Sequence, residues 1–103
     1  MAAAVQAAAA FCLMPSLVLA QTQAPAAAQM CSTCHGANGI SAIPNAPHLA
    51  GQPAIYVAEQ MKAYRSGKRS HEVMNVVAKP LSDADIDALA AWYASIKIEV
   101  KMP

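Results

Sequence analysis

The chain has 103 residues, with seven Lys or Arg against six Asp or Glu, for a formal charge of +1. A length of this order holds one domain at most. Near-neutral charge, with no interleaving of aromatic and basic residues, excludes the electrostatic footprint of a nucleic-acid binder.

Hydrophobic residues make up 56% of the chain, and they are unevenly spread. Met1 to Ala20 holds no Asp, Glu, Lys or Arg, and Ala7 to Ala20 is an apolar run rich in Ala and Leu. The run ends in Val18-Leu19-Ala20 and a polar stretch begins at Gln21. A small residue closing an apolar run predicts a secretory signal peptide over residues 1–20, cleaved near Ala20-Gln21, although its start lacks the usual Lys or Arg. A lasting membrane anchor would need ~20 strongly apolar residues, whereas this run is diluted by alanine and broken by Pro15. Phe11 before Cys12 is too large for a lipoprotein processing site. The exported form therefore keeps no membrane span, and only Cys31 and Cys34 among its cysteines.

Residues 21–25 read as a flexible lead-in, and residues 26–103 as the domain. A short helix is predicted from about Ala26 into Cys31-Ser32-Thr33-Cys34-His35. Gly36 to Pro53, punctuated by Gly39, Pro44, Pro47 and Gly51, reads as an irregular loop without the alternation of a strand. Pro53 suits the first turn of a second helix. There Val57, Met61 and Tyr64 recur on one face until Gly67 ends the pattern. Lys68 to Leu81 reads as a second long loop, carrying Met74 and Pro80. Ser82-Asp83-Ala84-Asp85 then resembles a capping box. Beyond it Ile86, Leu89, Ala90, Tyr93 and Ile96 form the stripe of a helix ending near Lys97. The expected fold class is all-α: one small domain of three or more helices with two long loops. A domain this small buries too little surface to dispense with a staple such as a cofactor, metal or disulfide.

Cys31-Ser32-Thr33-Cys34-His35 supplies that staple, because C-x-x-C-H is the haem attachment sequence. Two thiols three positions apart on a helical turn suit the two vinyl groups of one haem, and the next residue presents its imidazole to the iron. A redox-active C-x-x-C belongs with a βαβ pattern, which is absent. A structural zinc site would need four ligands, drawn from Cys31, Cys34, His35 and either His48 or His71, with no second ligand pair at finger-like spacing. The iron's second axial ligand is expected from Met74, in the loop before the last helix, where the chain can return over the opposite face. Met61 reads as core, Met30 lies on the wrong side of the ring, and Met102 is terminal. His71 and His48 compete with Met74 for the role. A thioether ligand favours ferrous iron and raises the potential, whereas a second imidazole lowers it.

These residues resemble a class I cytochrome c of the small bacterial group that includes cytochrome c553 and each half of cytochrome c4. The resemblance covers about Ala26 to Ile96. It rests on Cys31 to Gly36, on Pro47-His48-Leu49-Ala50-Gly51-Gln52 with Tyr56, on Gly67-Lys68-Arg69 before Met74, and on Leu81-Ser82-Asp83 leading to Leu89-Ala90-Ala91-Trp92-Tyr93. It implies thioethers at Cys31 and Cys34, His35 and Met74 as the two iron ligands, and the Pro47 carbonyl accepting from His35 Nδ1. It also implies a crossing of first and last helices at Trp92 or Tyr93. The stretch before Cys31 is shorter than the family's first helix, so that crossing is expected to be weak. The implied function is a periplasmic carrier of single electrons on one haem c, not an enzyme. Its redox partners would be dehydrogenases, membrane complexes or a terminal oxidase. The alternatives are a cytochrome subunit of a periplasmic dehydrogenase, or a gas-binding haem protein with an open sixth position. Lys62, Arg65, Lys68 and Arg69 form a basic cluster that either steers acidic partners or is a solvated helix end.

Overall fold

The computed structural model describes residues 1–15 and 23–103, and the expected cleavage point Ala20-Gln21 lies outside them. Residues 1–15 are exposed and carry no regular secondary structure. Four helices follow in chain order: α1 (Ala28–His35), α2 (Ala54–Ser66), α3 (Glu72–Ala78) and α4 (Asp83–Ser95). Among the described residues there is no strand, and no helix is long and apolar enough to cross a membrane.

α1 is reached through a turn in which Ala28 N–H bonds to Pro25 O at 2.9 Å, so the helix begins two residues later than Ala26. Gly36 ends it at φ +85°, and an added Cβ there would collide with the Ile40 carbonyl. Only glycine turns the chain away from His35 in this manner. In the loop that follows, the Gly39 carbonyl accepts from Leu49 N–H at 2.8 Å and Ala50 N–H at 3.0 Å. Gly51 N–H then reaches Tyr93 O on α4 at 2.9 Å. These bonds fold 36–53 back over the end of α1 without regular structure.

α2 buries Val57 and Met61, one turn apart, and Gly67 closes it in the left-handed conformation at φ +84°. α4 opens on the capping box, with Ser82 accepting from Asp85 N–H and Asp85 accepting from Ser82 N–H. It buries Ile86, Leu89, Ala90 and Tyr93. The main helix pairing is α2 on α4, with α3 packed on α2. Arg65 pins the far end of that pairing, donating to Leu81 O at 3.0 Å and pairing with Asp83. α1 joins the same core through Ala28 and Cys31, which pack with Leu89, Ala90 and Tyr93.

One expectation is corrected. Lys68 to Leu81 is not a continuous loop, because Glu72 to Ala78 is helical and Met74 lies on it. The sequence hides this helix because Val73, Val76 and Val77 are poor helix formers and its N-cap position holds His71 rather than Ser, Thr, Asp or Asn. Its start is capped instead by His71, whose side chain accepts from Val73 N–H and Met74 N–H.

Candidate haem site

The elements converge on one cavity of about 410 Å³, within the range of small-molecule and cofactor sites. Cys31, Cys34, His35, Pro47 and Met74 all line it. The motif therefore stands on one wall with the Pro47 loop, and Met74 arrives from α3.

His35 is buried, and its Nδ1 lies 2.8 Å from Pro47 O. A carbonyl can only accept, so Nδ1 carries the proton and donates. This leaves Nε2 as the bare nitrogen able to take a metal, with the ring's orientation fixed by the bond behind it. The loop is braced for that purpose. Ser41 Oγ donates to Cys34 O at 3.1 Å, and Ser41 N–H donates to His48 Nδ1 at 2.8 Å. His48 is exposed and lies outside the cavity wall, so this candidate ligand acts as a loop brace.

Cys31 and Cys34 differ in setting: Cys31 is buried and Cys34 exposed, and both thiols are free. Burial pushes the Cys31 thiol up, partly offset by its hydrogen bond with Tyr93. Burial beside Cys31 likewise pushes the Tyr93 hydroxyl up to about 12. Tyr93, only 2% exposed, thus connects α4 to the first cysteine. Trp92 flanks α1 on the outside, beside Ala28, Gln29 and Ser32.

Met74 is half-buried and packs against the core. Met61 is buried in that core and also lines the cavity, as does the more exposed Met30, whereas Met102 is exposed and outside it. His71 caps α3 and reaches the cavity wall. Tyr56, Gln60 and Tyr64, which no motif marks as site residues, line the cavity as well. Their signal was present, since positions 56, 60 and 64 recur every four residues beside the Val57 and Met61 stripe.

Of the basic cluster, Arg65 is engaged by Asp83, while Arg69 sits over the Tyr64 ring at 4.7 Å and donates to Gln60 Oε1 at 2.8 Å. Two of the four cations are thus tied into the fold. Among the described residues, no three His, Cys, Asp or Glu side chains gather as a bare-ion site. What the cavity offers is a donor set suited to haem: two thiols, an imidazole held by its far nitrogen, a thioether and an apolar wall.

Comparison with known proteins agrees with this donor set. The family model for cytochrome c matches residues 20–97. The chain is 43% identical over 68 residues to cytochrome c-554(548) of Halomonas halodenitrificans, an alignment covering 63% of this chain and 82% of that one. It is 43% identical over 75 residues to the thiosulfate dehydrogenase electron acceptor of Thiomonas intermedia, covering 72% of this chain and 35% of that one. Reduced cytochrome c4 from Pseudomonas stutzeri superposes with a TM-score of 0.62 at 35% identity, covering 65% of this chain and 38% of that one. The chain thus spans only about a third of the length of some relatives it matches. With four helices, the attachment motif and these matches, the chain belongs to the cytochrome c family, whose members bind haem c covalently through cysteine.

Proposed function

We propose that this chain carries single electrons on one haem c, joined through Cys31 and Cys34, with the iron held between His35 Nε2 and the Met74 thioether. One observation carries the reading: thiols, imidazole and thioether all line one cavity, where together they could hold a single haem. When bound, haem supplies a one-electron ferric–ferrous couple. The chain's residues then act by holding. Pro47 O keeps His35 Nδ1–H engaged, which fixes the tautomer and strengthens Nε2 as a ligand. Met74 would supply the other ligand, a soft neutral donor that favours the ferrous state. Were both ligands in place, the metal would offer substrate no position, and the role left to the chain would be to set the potential and bring the cofactor edge to a partner.

Residues 1–20 serve in this reading as an export signal, which places the domain of residues 26–103 in the periplasm. Sequencing the amino terminus of the secreted protein checks this, with Gln21 expected as the first residue.

A second reading, the cytochrome subunit of a dehydrogenase, is favoured by the similarity to a thiosulfate dehydrogenase electron acceptor. A stoichiometric partner surviving purification would select it over a free carrier.

The deciding experiment is a visible spectrum of the protein made with haem-maturation machinery, in oxidised, reduced and carbon-monoxide-treated forms, beside Met74→Ala. A low-spin spectrum with the weak far-red methionine–iron band is expected, lost in the variant and unchanged by carbon monoxide in the parent. Ready carbon monoxide binding by the parent would refute the closed-site reading and move gas binding to the front.

A further inference from the structure

Met74 stands on a helix that ought not to form unaided. α3 has seven residues, Val73, Val76 and Val77 among them. Helices this short are marginal in water, and β-branched residues weaken them further. Besides its packing on α2 and the buried Ala78, it is held by a polar bracket around Met74. His71 Nδ1 accepts from Val73 N–H and from Met74 N–H, each at 3.2 Å. Asn75 answers from the other side: its Oδ1 accepts from His71 N–H at 2.6 Å. Its Nδ2 donates to Tyr64 O at 2.9 Å and to Arg69 O at 2.8 Å. The His71 ring also meets the Tyr64 ring edge-on at 6.4 Å between centroids. The backbone of Met74 is therefore held by the residue three before it, and its following neighbour is tied to the end of α2.

We propose that His71 and Asn75 are a positioning pair that keeps the Met74 thioether over the cavity. This rests on Met74 being the second axial ligand. His71, a rival ligand by sequence, becomes the residue that secures the first choice, with its Nδ1 spent on the backbone of α3. A ligand on a short helix exchanges between bound and released states, and a loosened helix start raises the released fraction. An added ligand that binds only the released form gains apparent affinity in proportion to that fraction.

The test titrates imidazole into the oxidised holoprotein, following loss of the far-red methionine–iron band, with melting temperatures measured in parallel. His71→Ala removes the cap acceptor and is expected to raise imidazole affinity about fivefold to tenfold, the range typical of a lost helix cap. Asn75→Ala should raise it in the same sense. His71→Asn supplies a short acceptor favoured at helix starts and cannot bring an imidazole, so it should return the affinity to within about twofold of the parent. Ser82→Ala removes a cap from α4 instead, and should lower the melting temperature while leaving imidazole affinity unchanged. The proposal is overturned if His71→Ala binds imidazole like the parent, if His71→Asn behaves like His71→Ala, or if Ser82→Ala shifts the affinity as much. Retention of the far-red band in Met74→Ala would overturn the ligand assignment itself, and the positioning role with it. Loss of the band there, with unaltered His71 variants, would overturn the positioning role alone.

Discussion

Tyr93 shows how much one side chain decides in a domain this small. Its ring is buried, its hydroxyl meets the Cys31 sulfur, and its carbonyl takes Gly51 N–H from the ligand loop. Tyr93→Phe keeps the buried ring and removes its titrating hydroxyl. The pH dependence has a definite sign. The folded protein keeps the Tyr93 proton up to about 12, whereas the unfolded chain releases it near the ordinary 10.0. The folded state therefore binds more protons between those values, and its stability falls as pH rises through that window. Below pH 10 the contribution is complete. Denaturant unfolding across the alkaline range should show a steeper loss in the parent than in Tyr93→Phe, and equal slopes would contradict the burial argument. At this scale the motif cysteines and His35 were legible because haem attachment demands those residue types at that spacing, whereas Pro47 entered through the family resemblance and Met74 as the methionine placed to return over the cavity. His48 and His71 were not legible, because an imidazole that braces a loop or caps a helix looks in sequence like one that ligates a metal.

Among the elements, α2 and α4 were readable because their buried faces repeat with helical period and their ends carry conventional signals, Gly67 and Ser82. α3 was unreadable because its cap and its tether come from His71 and Asn75, whose partners are set by the tertiary fold. The start of α4 gives a test of the readable kind. Ser82→Ala is expected to cost about 1 kcal/mol, a fall of roughly 4–8 °C in melting temperature for a domain of this size. Hydrogen bonds from Ser82 hold the Asp85 carboxyl below its ordinary 3.8, and Arg65 does the same for Asp83. Depressed values mean that both carboxylates stabilise the fold fully above pH 3.8, with that support lost as pH falls through the lowered values. Melting temperatures from neutral pH downward should therefore decline more steeply in the parent than in the Asp83→Asn, Asp85→Asn double variant. Parallel curves would remove these caps from the acid stability of the fold.

For the molecule as a whole, the question is what its core is made of. Among the described residues, Ile86 and Leu89 are the largest fully buried side chains, while α1, the Pro47 loop, α2, α3 and α4 all turn residues toward the 410 Å³ cavity. A packed interior closes on itself, and this one closes on a site. An apolar wall left facing water forgoes burial that a domain this small depends on. In the proposed reading the cofactor would complete this core, and the long loops would wrap it. A Cys31→Ala, Cys34→Ala chain prepared without haem is expected to lose its cooperative thermal transition and its protected amides, with helix content well below that of the holoprotein. α4 should keep the most residual helix, since its capping box is local. A haem-free chain that melts cooperatively within a few degrees of the holoprotein would mean that the helices make a sufficient core by themselves. The cavity would then be a site added to a finished fold.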